Sequence, residues 1–131
     1  MQERDRKGSG APWEKRFGYS RTVRVGRRVW VAGTTAADEN GEVLAPGDAY
    51  GQAVAVFEKI AKALEEHGGG LKHVVRTRMF ATRIEDWEEI ARAHGDFFAE
   101  IRPVSTLVQV SGLIDPAMLI EIEADAVLDG D

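Results

Sequence analysis

The sequence predicts an α+β protein, a two-layer sandwich with helices on one face of a mixed sheet. Three observations predict it. Short segments of β-forming residues alternate with two longer segments of helical period, in the order β-β-α-β-α-β-β. Two strand–helix–strand units of similar length stand in tandem, which sets both helices against one sheet face. The strands carry apolar residues at both parities, so the other sheet face asks for a partner, and a second copy of the chain is the natural one.

Each element has its own signal. Residues 1–12 mix charges with Gly8, Gly10 and Pro12 and show no periodicity, so they read as a flexible N-terminal tail before a single ordered domain, 13–131. Tyr19 to Val25, YSRTVRV, alternates: Tyr19, Arg21, Val23 and Val25 share one parity, Ser20, Thr22 and Arg24 the other. That pattern suits a strand with one wet face. Gly26-Arg27 is a two-residue turn with glycine first, a hairpin signal. The return strand, Arg28 to Gly33, is nearly all apolar, which predicts burial on both faces. Asp38 to Gly41 and Pro46-Gly47 mark a loop.

Asp48 is the expected N-cap of a helix running to about His67. Its stripe is Ala53, Phe57, Ile60, Ala61 and Leu64, and Gly68 to Gly70 ends it. Val74 to Ala81 reads as a strand. Ile84-Glu85-Asp86 opens a second helix reaching Phe98, with acidic residues crowding its positive end. Trp87, Ile90, Ala91, His94, Phe97 and Phe98 are expected on its inner face. Pro103 stops it, and Ser105 to Val110 is a strand. In the last strand, Ile120 to Val127, the isoleucines and alanines face one way while Glu121, Glu123 and Asp125 face the other.

Composition bounds the chemistry. The chain has 131 residues and no cysteine, so disulfides, thiol catalysis and cysteine-ligated metals are excluded. With 17 Lys and Arg against 22 Asp and Glu, the net charge of −5 argues against a nucleic-acid partner, because such binding rests on neutralising phosphates. Apolar runs fall far short of the roughly 20 residues that span a bilayer. The N-terminus carries no apolar targeting segment, so the expectation is a cytoplasmic protein with no membrane partner. Three scattered histidines without ligand spacing predict no metal. His94 is expected in the core, His67 and His73 at the surface. There is no glycine-rich phosphate cradle and no nucleophile elbow.

Two constellations remain. The acidic row repels itself unless solvent, cations or arginines relieve it; it is either a solvated face or the source of a pocket general acid/base. Arg21, Arg24, Arg76, Arg78 and Arg102 lie on or beside strands. They either pair with that row, within or between subunits, or form an anion-binding pocket.

The C-terminal segment RPVSTLVQVSGLIDPAMLIEIEADAV, Arg102 to Val127, resembles the signature of the reactive intermediate deaminase (Rid, or YjgF) family. The hairpin YSRTVRVGRRVWVAGTTA, the helix–GGG–strand segment and AHGDFF are similar to the same family, over residues 17 to 128. The resemblance implies a chorismate-mutase-like fold and a homotrimer with a central barrel, with small-molecule sites between subunits. It implies cofactor-free hydrolysis of 2-aminoacrylate-type enamines or imines to 2-keto acids and ammonia. Glu121 matches the glutamate that positions water, Tyr19 the pocket tyrosine, and Gly33 the glycine of the second strand. The family's carboxylate-gripping arginine falls on Ser105, and its helix asparagine on Ala91. Serine donates one hydrogen bond and no charge, which implies altered substrate choice. Ser105, Thr106 and Arg102 are the further substrate-binding candidates. The alternative is a non-catalytic metabolite-binding or chaperone-like trimer; an endoribonuclease is the third reading, against the net charge.

Overall fold

The structure is a computed structural model and describes residues 3–130. Its sheet begins at the hairpin. Strands β2 (Thr22–Val25) and β3 (Arg28–Thr35) pair antiparallel, with Gly26 at φ 61° in the turn. That backbone conformation costs glycine nothing and strains other residues.

The segment expected as a loose tail contains a strand. β1 (Arg4–Lys7) pairs antiparallel with β2, Arg4 opposite Val25 and Lys7 opposite Thr22. Its four residues, RDRK, are all charged, so no apolar alternation announces it. The backbone bonds of an open strand edge hold it, and its charges suit an edge position. Helix α1 (Pro12–Phe17) follows, with proline in its first turn and Gly18 at φ 80° as its cap. Its Glu14 is buried, and the carboxylate accepts from Ser9 N (2.9 Å) and Ser9 Oγ (2.5 Å).

Helix α2 (Ala49–Glu65) starts where Asp48 caps it, the carboxylate accepting from Gly51 N at 2.9 Å. It leads to β4 (Val74–Ala81); helix α3 (Trp87–Phe98) then leads to β5 (Val104–Gln109), which is parallel to β4. β6 (Ile120–Val127) lies between β3 and β4, antiparallel to both, in a six-stranded order β1-β2-β3-β6-β4-β5. The architecture is the expected α+β sandwich. Ile120, Ile122, Ala124 and Ala126 are buried together with Val29, Val31, Met79, Phe57, Ile60 and Leu64.

Several side chains depart from expectation. On α3 the buried positions are Ile90, Ala93 and Phe98, with His94 and Phe97 half-buried; Ala91 is exposed and Trp87 is 51% exposed. Spacings of three, four and seven from Ile90 define that face, and Ala91 falls off it. His67 and His73 are buried instead of exposed. The glycines between them turn the chain back sharply, Gly68 at φ 80°. His67 Nε2 lies 2.7 Å from Thr22 Oγ1, and His73 Nδ1 accepts from Gly70 N at 3.1 Å. In β2 the polar parity faces the helices, since Thr22 is buried there, while Val23 and Val25 sit half-buried on the other face.

That other face has no covering layer. Trp30 is 42% exposed, Val104 61% and Val108 42%. The apolar run of β3 predicts a strand buried on both faces; in the single chain Trp30 is not buried. Among the described residues no helix is long and apolar enough to cross a membrane.

One buried side chain ties α2 to the approach of β6. Gln52 Nε2 donates to Ala117 O (2.9 Å), and Gln52 Oε1 accepts from Leu119 N (2.8 Å). Replacing it by leucine removes both bonds and leaves two backbone groups without partners. Gln52→Leu is expected to cost about 2 kcal/mol. A urea midpoint lowered at unchanged m-value checks it.

Candidate functional site

The ladder between β3 and β6 shifts register between Val31 and Thr34. Thr34 Oγ1 donates to Ala32 O (2.8 Å) inside this irregularity. Gly33 sits there, and a Cβ built on it would lie 2.5 Å from Glu121 Oε2. Glycine is therefore required for Glu121 to lay its carboxylate against the β3 backbone. Arg21, just before β2, donates from Nη2 to Gly33 O at 2.6 Å. Its Nε is buried and has no partner among the described residues. Glu14, Tyr19 and Glu121 flank the guanidinium. Lys59 of α2 closes the end of β3, with Nζ donating to Thr35 O (2.7 Å) and Ala37 O (2.8 Å).

The acidic row is thus divided. Arg78 of β4 stands opposite Glu123 and pairs with it at 3.1 Å, with Asp125 at 3.8 Å. Glu121 stands opposite Phe80 and has no such ion pair among the described residues. Burial, opposed by Arg21 and reinforced by Glu123, pushes the Glu121 carboxyl above its ordinary value of 4.5. Burial, with Arg21 adding to it, pulls Lys59 below its ordinary value. A half-buried carboxylate of raised pKa beside exposed backbone can orient a water molecule and exchange a proton with it.

Gly33 and Glu121 thus meet at one end of the uncovered face, with Arg21 bonded to Gly33 O, and exposed Tyr19 precedes Arg21 by two residues. The other candidates lie apart. Ser105 is on β5, at the far edge of the sheet, and its side chain turns toward the helix layer. There Thr77 Oγ1 donates to Ser105 Oγ at 2.8 Å. Thr106 is exposed on the uncovered face, and Arg102 is exposed in the turn before β5 at φ 56°. Ser105 and Glu121 therefore occupy opposite sheet faces, with β4 between their strands. Sequence reasoning singled out neither Lys59 nor the direct role of Arg21. The signal for Arg21 was its shared parity with Tyr19. Nothing local marks Lys59, which reaches the site from another element. Among the described residues no group of three or more His, Asp or Glu side chains could hold a metal ion.

A profile of the family described as Endoribonuclease L-PSP matches residues 11–128. An uncharacterized Streptomyces coelicolor protein is 42% identical over 119 residues, 90% of this chain and 87% of that one. A protein of Acinetobacter baylyi named 3-aminoacrylate deaminase RutC is 36% identical over 108 residues, 82% of this chain and 85% of that one. The crystal structure of a Mycobacterium tuberculosis member of the YjgF/YER057c/UK114 family matches with a TM-score of 0.87 at 40% identity, covering 96% of this chain and 100% of that one.

Two titration outcomes follow from the Glu121 environment. Arg21 favours the ionised carboxylate, so Arg21→Gln should move the Glu121 titration, read by carboxyl-carbon NMR, to higher pH. A raised carboxyl pKa stabilises the fold only while protonated; that contribution is full below 4.5 and is lost as pH rises through the folded value. Glu121→Gln should therefore be more stable than the parent at pH 7, and the gain should vanish in acid. Urea midpoints at the two pH values check it.

Proposed function

The chain belongs to the endoribonuclease L-PSP family, also called YjgF or Rid, and on that premise we propose that it is a cofactor-free hydrolase of imines, enamines or related compounds. It acts as a homotrimer with a central barrel, at sites shared between subunits. The observation that carries this reading is Glu121, half-buried, without an ion pair among the described residues and pressed against Gly33 beside Arg21. The name of the Acinetobacter relative, a deaminase of 3-aminoacrylate, supports the reaction class.

In the reaction, Glu121 orients a water molecule toward the carbon of a C=N bond. The oxygen–carbon bond forms, the π pair moves to nitrogen, and Glu121 takes the proton that water releases. Returned to nitrogen, that proton completes a carbinolamine; Glu121 then passes the hydroxyl proton to nitrogen, the oxygen pair forms the C=O bond as the C–N bond breaks, and a carbonyl product and ammonia leave. Tyr19 hydrogen-bonds the ligand from the same side. Ser105 and Thr106 of a neighbouring subunit meet it from the other, with Arg102 nearby. A shared site is supported by the separation of the two groups within one chain and by the apolar residues of the uncovered face. At about 25 cal/mol per Å² of apolar surface, that face favours association when covered.

A binding protein without turnover is the second reading. The uncharged Ser105 favours it, because it removes the grip on a carboxylate that the family resemblance implies. A ligand that raises the melting temperature and is recovered unchanged supports that reading. The net charge of −5 disfavours an RNA substrate.

The hydrolase reading predicts ammonia release from a panel of imines, reduced roughly 100-fold or more in Glu121→Ala. Equal rates in the two proteins remove Glu121 from the mechanism. Light scattering should give a trimer of about 43 kDa, three times the 14.4 kDa chain. A stable monomer at micromolar concentration contradicts the assembly.

A further inference from the structure

Ser105 is exposed at the sheet edge, yet its oxygen is tied inward. Thr77 Oγ1 donates to Ser105 Oγ (2.8 Å), and the same threonine oxygen lies 2.9 Å from His94 Nε2. Thr77 is fully buried, out of reach of solvent. A hydroxyl has one hydrogen. Taking Thr77 as the donor to Ser105 makes it an acceptor toward His94, which then carries its proton on Nε2. The ring is held in place: Phe57 packs edge-on with centroids 5.6 Å apart, and Phe98 lies against it at 4.6 Å. Burial pulls the imidazole below its ordinary 6.5, which keeps it neutral at pH 7.

The result is a neutral chain of donors that all point one way, from His94 through Thr77 to Ser105. The hydrogen of Ser105 has no acceptor among the described residues, so it points outward. Donors in series polarise one another, which strengthens the last one.

We propose that Thr77 and His94 are specificity-determining positioning residues: they make Ser105 a fixed, uncharged donor that selects ligands bearing a neutral acceptor oxygen, such as a carboxamide or ester carbonyl, over ligands bearing a carboxylate. The inference rests on the reading above that Ser105 lines the ligand cleft. A carboxylate brought out of water against a single neutral donor keeps most of its desolvation cost. An amide carbonyl loses far less on leaving water, and one good donor satisfies it.

The test is calorimetric titration of the assembled protein with two probes of equal size, 2-oxobutanamide and 2-oxobutanoate. The wild type is expected to bind the amide about tenfold more tightly than the acid. Thr77→Val and His94→Phe should each weaken amide binding about fivefold and leave the acid nearly unchanged, which narrows the ratio. Thr77→Ser keeps the hydroxyl and should keep the wild-type ratio. Ser105→Arg should reverse the preference, since a guanidinium grips a carboxylate with two charge-assisted bonds. If the Thr77→Val or His94→Phe protein does not fold, Ser105→Ala at the exposed position carries the same comparison. A wild type that prefers the acid or binds neither probe, or a ratio unmoved by these substitutions, overturns the inference. The hydrolase reading fails separately: a protein with this selectivity and no ammonia release keeps the inference and loses the reaction.

Discussion

A strand that arrives last in the chain holds the middle of the sheet. β6 lies between β3 and β4, so the crossover through α2 must leave a gap one strand wide, and β6 must fill it antiparallel to both neighbours. Its strict alternation meets that demand. Ile120, Ile122, Ala124 and Ala126 complete the core beneath the helices, while Glu121, Glu123 and Asp125 emerge on the far side. A slip of one residue would exchange the two sets and bury three carboxylates. Gln52 reinforces the register by holding the backbone just before the strand begins.

The same alternation produces the site. Three acidic residues on one strand face need relief, and Arg78 supplies it to Glu123 and Asp125. Glu121 is treated differently. Opposite it stands Phe80, and beside it β3 bulges at a glycine, which lets the carboxylate press against backbone. Arg21 reaches this glycine's carbonyl instead of pairing directly with the acid. Glu121 is therefore left partly desolvated, with a cation close enough to keep its ionisation within reach. The pairing of Glu123 and Asp125 and the isolation of Glu121 share one cause here, the uneven distribution of arginines along an even row of acids.

How much of this could be read from sequence depends on whether the signal is periodic. The hairpin, both main helices and β6 declare themselves by alternation or by three-and-four spacing, and the α+β class follows. β1 does not, because an all-charged edge strand is specified by the neighbour it pairs with. The burial of His67 and His73 is not legible locally, because it depends on how Gly68 to Gly70 turn the chain, not on their own surroundings in sequence. In the candidate site, the contact of Glu121 with Gly33 joins two motif positions, and Arg21 is visible as a residue of matching parity. Lys59, Thr77 and His94 join their networks only through contacts across the fold, which local pattern does not encode.

The row Arg4, Val25, Arg28 and Val127 crosses four adjacent strands in register. Three strand spacings separate its ends, roughly 15 Å. β1 therefore begins and β6 finishes at the same end of the sheet, whereas Glu121 stands near the beginning of β6. A tag inserted beside Arg4 or Val127 sits at the end of the sheet remote from Glu121. A short linker could join the start of β1 to the end of β6, and the chain could be reopened in the loop around Asn40, giving a circular permutant with the same strand order in space.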